Sequence, residues 1–268
     1  TEQQVKAVIL DGVVLPTGSD RTSMDNWDIK MNEVGLQFMQ TCAQDDFCKS
    51  KLQPDAATFV QRLFEKLYVN NTCAAVTNVL PAAVLRKILG SMLIQIGARN
   101  YIPALLYRLN RCDVDLDFGA LNYFLTNLNA NSSRIPSCVP LASTILGNNI
   151  ILSELFNATR SVDQLEAIFN ATFFATGPGI EKRKIYPLWP VYANDEYYGK
   201  SFVSTSASVL ILNGLLDPQT PFEWAQAQYD FISAPQKHLV AIPYAPHYTV
   251  MRSPVNDSNI DCGMQLVL

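Results

Sequence analysis

Two short apolar runs, Ser208 to Leu212 and His238 to Pro243, flank a helical stretch near the end of the chain, and they constrain its fold more than any other feature. Both are too short for helices, and their near-continuous apolar character fits strands covered on both faces. Parallel strands joined by a helix require a right-handed crossover. Gly214 lets the chain turn as the first strand ends. Asp217 then falls on a strand-to-helix loop, Thr220 is expected as the N-cap and Pro221 as the first helical residue. Phe222, Trp224, Ala225, Ala227, Tyr229 and Phe231 carry the helix. His247 follows the second strand in Ala245-Pro246-His247-Tyr248. Reacting groups gather at the carboxyl ends of strands in open α/β sheets, so Asp217 and His247 are expected to meet there.

Those two residue types are an acid and a base without a nucleophile. An imidazole with its ordinary pKa of about 6.5 accepts a proton near neutrality, and a carboxylate on the other ring nitrogen fixes its tautomer. The sequence has two histidines. His238 opens a strand after Pro235-Gln236-Lys237, where a surface role is expected, which leaves His247 as the base. Asp11, which ends the first strand at Leu10-Asp11-Gly12 within a third apolar run from Val5 to Val14, is the rival acid; as a turn or buried hydrogen-bonding group it has an alternative use. The order Asp then His on successive βα units is the second half of the Ser, Asp, His order of α/β hydrolases. No Gly-x-Ser-x-Gly occurs in the chain, nor a Cys or Asp version of it, and the first residue is Thr1. The expectation is the carboxyl-terminal part of a longer hydrolase, with the nucleophile upstream.

A family resemblance rests on these residues. Gly214-x-x-Asp217-Pro218-x-Thr220-Pro221, the later Pro243-x-x-Pro246-His247, and Cys262-Gly263-Met264 look like the carboxyl-terminal part of secreted tripeptidyl aminopeptidase-like serine peptidases, relatives of proline iminopeptidases. Gln4 to Val14 is similar to the strand that follows the nucleophile helix in that family. Ile102 to Cys112 and Asp195 to Lys200 resemble it more weakly. Family members commonly carry Gly directly after the catalytic His, where this chain has Tyr248. The resemblance implies an α/β fold: the carboxyl-terminal part of an α/β-hydrolase, with a remnant parallel sheet and a large, mainly helical lid insertion. It divides the chain into a core fragment, 1–17 and 205–268, and a lid, 18–204. The implied activity is that of a serine exopeptidase, releasing short peptides or residues from free amino termini by Ser-His-Asp acyl transfer. The peptide substrate and the missing amino-terminal half are the implied partners. Two other readings stay open: an esterase or lipase on the same fold, and a non-catalytic homologue acting as a binding protein.

The remnant sheet is expected in the order Val5–Val14, Ser208–Leu212, His238–Ile242, with the first strand on an open edge. Helical spacing recurs in the insertion, through Phe59, Val60, Leu63, Phe64 and Leu67, and through Leu80, Val84, Leu85, Ile88, Met92 and Ile96. Phe173 to Lys200 reads as an irregular return segment whose charge cluster, Glu181 to Lys184, is a solvated turn. Its aromatics wrap and pack or line a cleft. Arg108, Asn110 and Arg111 fit either a carboxylate-binding group or an ordinary helix end.

A formal charge of −4 without a basic cluster argues against a nucleic-acid partner. The longest apolar stretch, Leu80 to Ile96, is broken by Arg86 and Lys87, so no membrane span is expected. No cofactor is called for, and no Cys-x-x-Cys suggests zinc. Asn70, Asn131, Asn157, Asn170 and Asn256 each begin an N-glycosylation sequon. With six cysteines they point to a eukaryotic secreted protein, or one of a lysosomal or vacuolar lumen. Cys42 and Cys48 are close enough to pair locally. The other four allow three connectivities; the one favoured, Cys73 with Cys112 and Cys138 with Cys262, ties lid to core.

Overall fold

The computed structural model describes residues 5–15, 24–53, 55–131, 143–196, 198, 205–255 and 260–268, except the side chains of 56 and 124–131. Three parallel strands form one sheet in the order β1 (Ala7–Asp11), β2 (Ser208–Gly214), β3 (Lys237–Ile242). Ala7 stands opposite Ser208 and Asp11 opposite Leu212 in the first pair. In the second, Val209 faces Lys237 and Gly214 faces Ile242. This is the expected order, with β2 central and β1 at an edge among the described residues.

The helix Phe222–Phe231 crosses from β2 to β3 and buries Trp224, Ala225 and Gln228. Ala225 packs with Val13, Val209, Ile211 and Ile232 in a small apolar cluster on the sheet. Lys237, at the start of β3, donates to the carbonyls of Tyr229 and Ile232, satisfying orphan acceptors at the helix end where a cation is also favoured by the helix dipole. β1 is shorter than its apolar run because Gly12, at φ 75°, turns the backbone out of the sheet. Its side chains are less covered than those of β2: Ile9 is 46% exposed, whereas Ile211 is fully buried.

Between β1 and β2 the described residues are mainly helical, and a larger apolar cluster sits there. Met31, Leu63, Leu67, Leu85, Leu89 and Phe174 belong to it, and so does Leu216 from the loop after β2. The helices Ala56–Phe64 and Ala82–Ile94 are those expected from spacing. Two side chains of the helix Trp27–Cys42 hold the return segment: Asn32 accepts from the backbone N–H groups of Phe173 and Phe174, and Asp28 from those of Thr176 and Gly177. Burial raises the Asp28 pKa despite those two donors.

Part of the return segment is regular, which corrects the sequence expectation. Glu181 to Lys184 lie in a helix, Pro178–Ile185, entered from Gly177 in the left-handed conformation with Pro178 in its first turn. Proline suits that position because its missing N–H would have no helical partner. The Pro and Gly that suggest irregular chain are here a helix start.

Cys42–Cys48 and Cys73–Cys112 are disulfides, with Cα separations of 5.6 and 6.0 Å. Cys262 is bonded to none of these, and its expected partner Cys138 lies outside the described residues. Of the sequon asparagines, Asn70, Asn157 and Asn170 are exposed; Asn256 and the side chain of Asn131 lie outside the described residues. Among the described residues no helix is long and apolar enough to cross a membrane.

Arg108 and Arg111 converge on Asp117, which is 1% exposed. The Arg111 guanidinium, with the Asp113 N–H and Arg108, holds the Asp117 carboxyl down at about 2. Its unfolded value is about 3.9. The stability this group contributes is therefore complete above about pH 4 and is lost as the pH falls from there through about 2. Asp117→Asn is expected to flatten the melting temperature against pH over that window, besides lowering it at neutral pH. Thermal melts between pH 2 and 5 that fall equally steeply in both proteins would contradict this.

Candidate functional site

Asp217 and His247 meet at the carboxyl end of the sheet. Nδ1 of His247 lies 2.9 Å from Oδ2 of Asp217. The acid comes from the loop after β2 and the base from the loop after β3, so the adjacent parallel strands bring them together. Asp217 is fully buried, yet its carboxylate accepts four bonds. Oδ1 takes the backbone N–H groups of Gln219 at 2.8 Å and Thr220 at 2.9 Å. Oδ2 takes the Thr220 hydroxyl at 2.6 Å and the imidazole. A dry carboxylate is tolerable only when its lone pairs are used in this way.

Thr220 fixes the imidazole tautomer. Its Oγ1 is also 3.1 Å from His247 Nδ1. The hydroxyl has one proton, and the short contact to Oδ2 takes it. Nδ1 must then carry the ring proton, shared between the carboxylate and the hydroxyl oxygen. Neither bond uses Nε2, which is left with its lone pair. The His247 side chain is 19% exposed, so the ring is held from within and still reaches solvent.

Other parts of the chain brace this pair. Asp11 accepts the backbone N–H groups of Thr249 and Val250, both at 2.9 Å, and so pins the turn that follows His247 to the end of β1. No hydrogen bond joins it to the imidazole among the described residues; its role is the hydrogen-bonding alternative. A side chain on Gly12 would put its Cβ 2.9 Å from both His247 Cε1 and Thr220 Oγ1, so the neighbouring chain approaches the site through the absence of a side chain. Asn213 is buried and donates to the carbonyls of Gly214 and Thr220, closing the Asp217 loop on itself. Tyr248 sits at φ 63°, a conformation most side chains resist, with its ring edge-on to the imidazole at 4.7 Å. Glycine would occupy that backbone without strain.

Thr220 is not the N-cap that the sequence suggests. The helix begins at Phe222, Pro221 precedes it in extended conformation, and the threonine hydroxyl is committed to Asp217. The signal was present in Asp217-x-x-Thr220, the spacing at which a carboxylate reaches back-to-back loop donors, but the following proline made capping the simpler reading. Gly12 and Asp11 carry no local signal, because both act on residues from the other end of the chain. His238 is exposed on β3, away from the pair. Ser253, whose Oγ donates to the Thr249 carbonyl and accepts from Gly263 N–H, serves as a tie to the terminal helix Cys262–Val267. Among the described residues no serine bonds to His247, and no group of carboxylates, histidines and cysteines is arranged to hold a metal. No family model matches this chain, and no curated protein does.

Proposed function

We propose that Asp217 and His247 are the acid and base of a serine exopeptidase of the α/β-hydrolase type, a tripeptidyl aminopeptidase-like enzyme acting on peptides with free amino termini. The observation that carries this reading is the 2.9 Å contact between His247 Nδ1 and the fully buried Asp217 carboxylate, which leaves Nε2 to activate a nucleophile. The nucleophile is a serine outside this sequence. Nε2 takes the hydroxyl proton as oxygen attacks the peptide carbonyl, and the imidazolium formed is stabilised by Asp217. It then returns the proton to the leaving amine, and water repeats the cycle on the acyl-enzyme. The helical insertion lies beside the loop that carries the base, and the bond from Arg99 to the Tyr244 carbonyl joins the two. A lid so placed restricts access to chain ends. The paired cysteines and the exposed sequons support a secreted or lumenal setting.

The test is to join this chain to the natural sequence that precedes it and assay aminoacyl-arylamides with free and acetylated amino groups. Hydrolysis confined to the free amine, together with covalent labelling by a fluorophosphonate, is the expected result. The 268-residue chain by itself is expected to hydrolyse neither amides nor aryl esters. Cleavage of esters alone would replace the peptidase reading by an esterase one, and an unlabelled, inactive full-length protein would end both.

Thr220→Val removes a hydroxyl from the carboxylate and from the tautomer lock while keeping the side-chain volume. Loss of one such bond is expected to lower kcat by about tenfold, with KM little changed. Thr220→Ser should retain most of the activity, and equal losses in the two variants would indicate packing in place of hydrogen bonding.

A further inference from the structure

Arg99 ends the short helix Ile96–Arg99 and is 5% exposed. Its Nη2 donates to the Tyr244 carbonyl, and the guanidinium stands 5.9 Å from the centroid of the Phe38 ring. Among the described residues, Nε and Nη1 are buried with no hydrogen-bond partner. Interiors rarely leave such donors unmade, and arginine cannot escape the cost by losing its proton. Arg99 also lines a cavity of about 500 Å³ between its helix and the loop that leads from β3 to His247. Ile96, Ile242, Pro243, Ala245 and Pro254 give this cavity apolar walls, Asn100 also lines it, and among the described residues none of its lining is acidic. The volume lies within the usual range for small-molecule sites, about 300–1,000 Å³.

We propose that this cavity binds a carboxylate borne on a small apolar body, with the Arg99 guanidinium as its anchor. A planar guanidinium matches the two oxygens of a carboxylate, and one positive charge among aliphatic walls suits a monoanion with an apolar side better than a phosphate dianion, which needs more donors. The occupant would lie against Tyr244 and Ala245, directly before the segment that carries His247. This assignment does not depend on the hydrolase reading, because its test reads binding without turnover.

The experiment titrates the purified chain with N-acetyl-L-leucine, its neutral amide N-acetyl-L-leucinamide, and inorganic phosphate at constant ionic strength. Calorimetry and the side-chain Nε–H resonance of 15N-labelled arginine report binding. The expected result is saturable binding of the carboxylate, weaker by about tenfold or more for the neutral amide and for phosphate, with one Nε–H resonance shifting. Arg99→Met should abolish it. In case that variant fails to fold, Val255→Trp alters a residue that is 40% exposed and lines the cavity, and should weaken binding by about tenfold by filling the space while Arg99 remains. Equal affinity for the amide, tighter binding of phosphate, or full binding in either variant overturns the proposal.

Discussion

Under the proposed mechanism, replacement of His247 by alanine in the nucleophile-bearing protein is expected to lower kcat by about 10⁴-fold or more while leaving KM and the melting temperature nearly unchanged. The ring is partly exposed and its Nδ1 bonds are confined to Asp217 and Thr220, so its removal costs little packing. What disappears is the only group of the described site that can move a proton between nucleophile and leaving group. Asp217→Asn should approach the same kinetic loss by a different route. The amide presents N–H where Oδ2 accepted two donors, and the ring proton shifts to Nε2, the nitrogen that must be free. Because Asp217 also accepts the Gln219 and Thr220 amides, Asp217→Ala should in addition destabilise the fold by about 1–3 kcal/mol for each donor left unmade. Steady-state kinetics with matched thermal melts separate the two effects. Activity within tenfold of wild type in His247→Ala would remove the imidazole from the mechanism.

Gly214→Val is expected to destabilise the chain by about 3 kcal/mol or more, among the largest effects of any single substitution here. A Cβ at Gly214 would stand 2.1 Å from the Ala245 carbonyl oxygen, 2.6 Å from its carbon and 2.7 Å from the Pro246 oxygen. These are backbone atoms, so no rotamer change relieves the overlap. The Ala245 carbonyl also accepts the Leu216 N–H at 3.1 Å, and pushing it away breaks that bond. His247 follows Pro246 directly, so the displacement passes to the base. Gly214→Ala should show the same effect in smaller measure, and the clash predicts loss of the His247–Asp217 contact at temperatures where the protein remains folded. Chemical denaturation of both variants checks the order. A valine variant as stable as wild type would mean that the strand end and the loop after β3 are not in contact.

The parts of this architecture that were legible in the sequence are those determined by local pattern. Ser208 to Leu212 and His238 to Pro243 announced strands because β-branched apolar runs flanked by turn residues have few other uses. Asp217 and His247 followed from them, since the loops after neighbouring parallel strands share one end of the sheet. Cys42–Cys48 was readable from its short spacing. Where two local uses competed, the pattern misled: Thr220 before a proline satisfied the rules of an N-cap, but the buried carboxylate three residues earlier has the stronger demand for a donor. Pro178 and Gly177 suggested irregular chain and instead begin a helix. Contacts between residues far apart in the chain left no trace. Asp11 with the Thr249 amide, Gly12 against the imidazole and Arg99 beneath Tyr244 all join residues whose adjacency only the folded sheet creates.

The edge position of β1 gives the site a mechanical weakness. Asp11 and Gly12, the two residues at the end of this strand, are what hold the turn after His247 and close one side of its ring. Asp217, by contrast, hangs from the central strand. Among the described residues β1 is bonded along one side alone, and strands so placed open locally at a lower free energy than the whole fold. The acid and the base are therefore anchored to elements of unequal permanence. Fraying of β1 would let the base wander while the acid stayed in place, so the pair should lose its alignment at a temperature below that of global melting. Any polypeptide segment that paired along the free side of β1 would steady the imidazole without touching it.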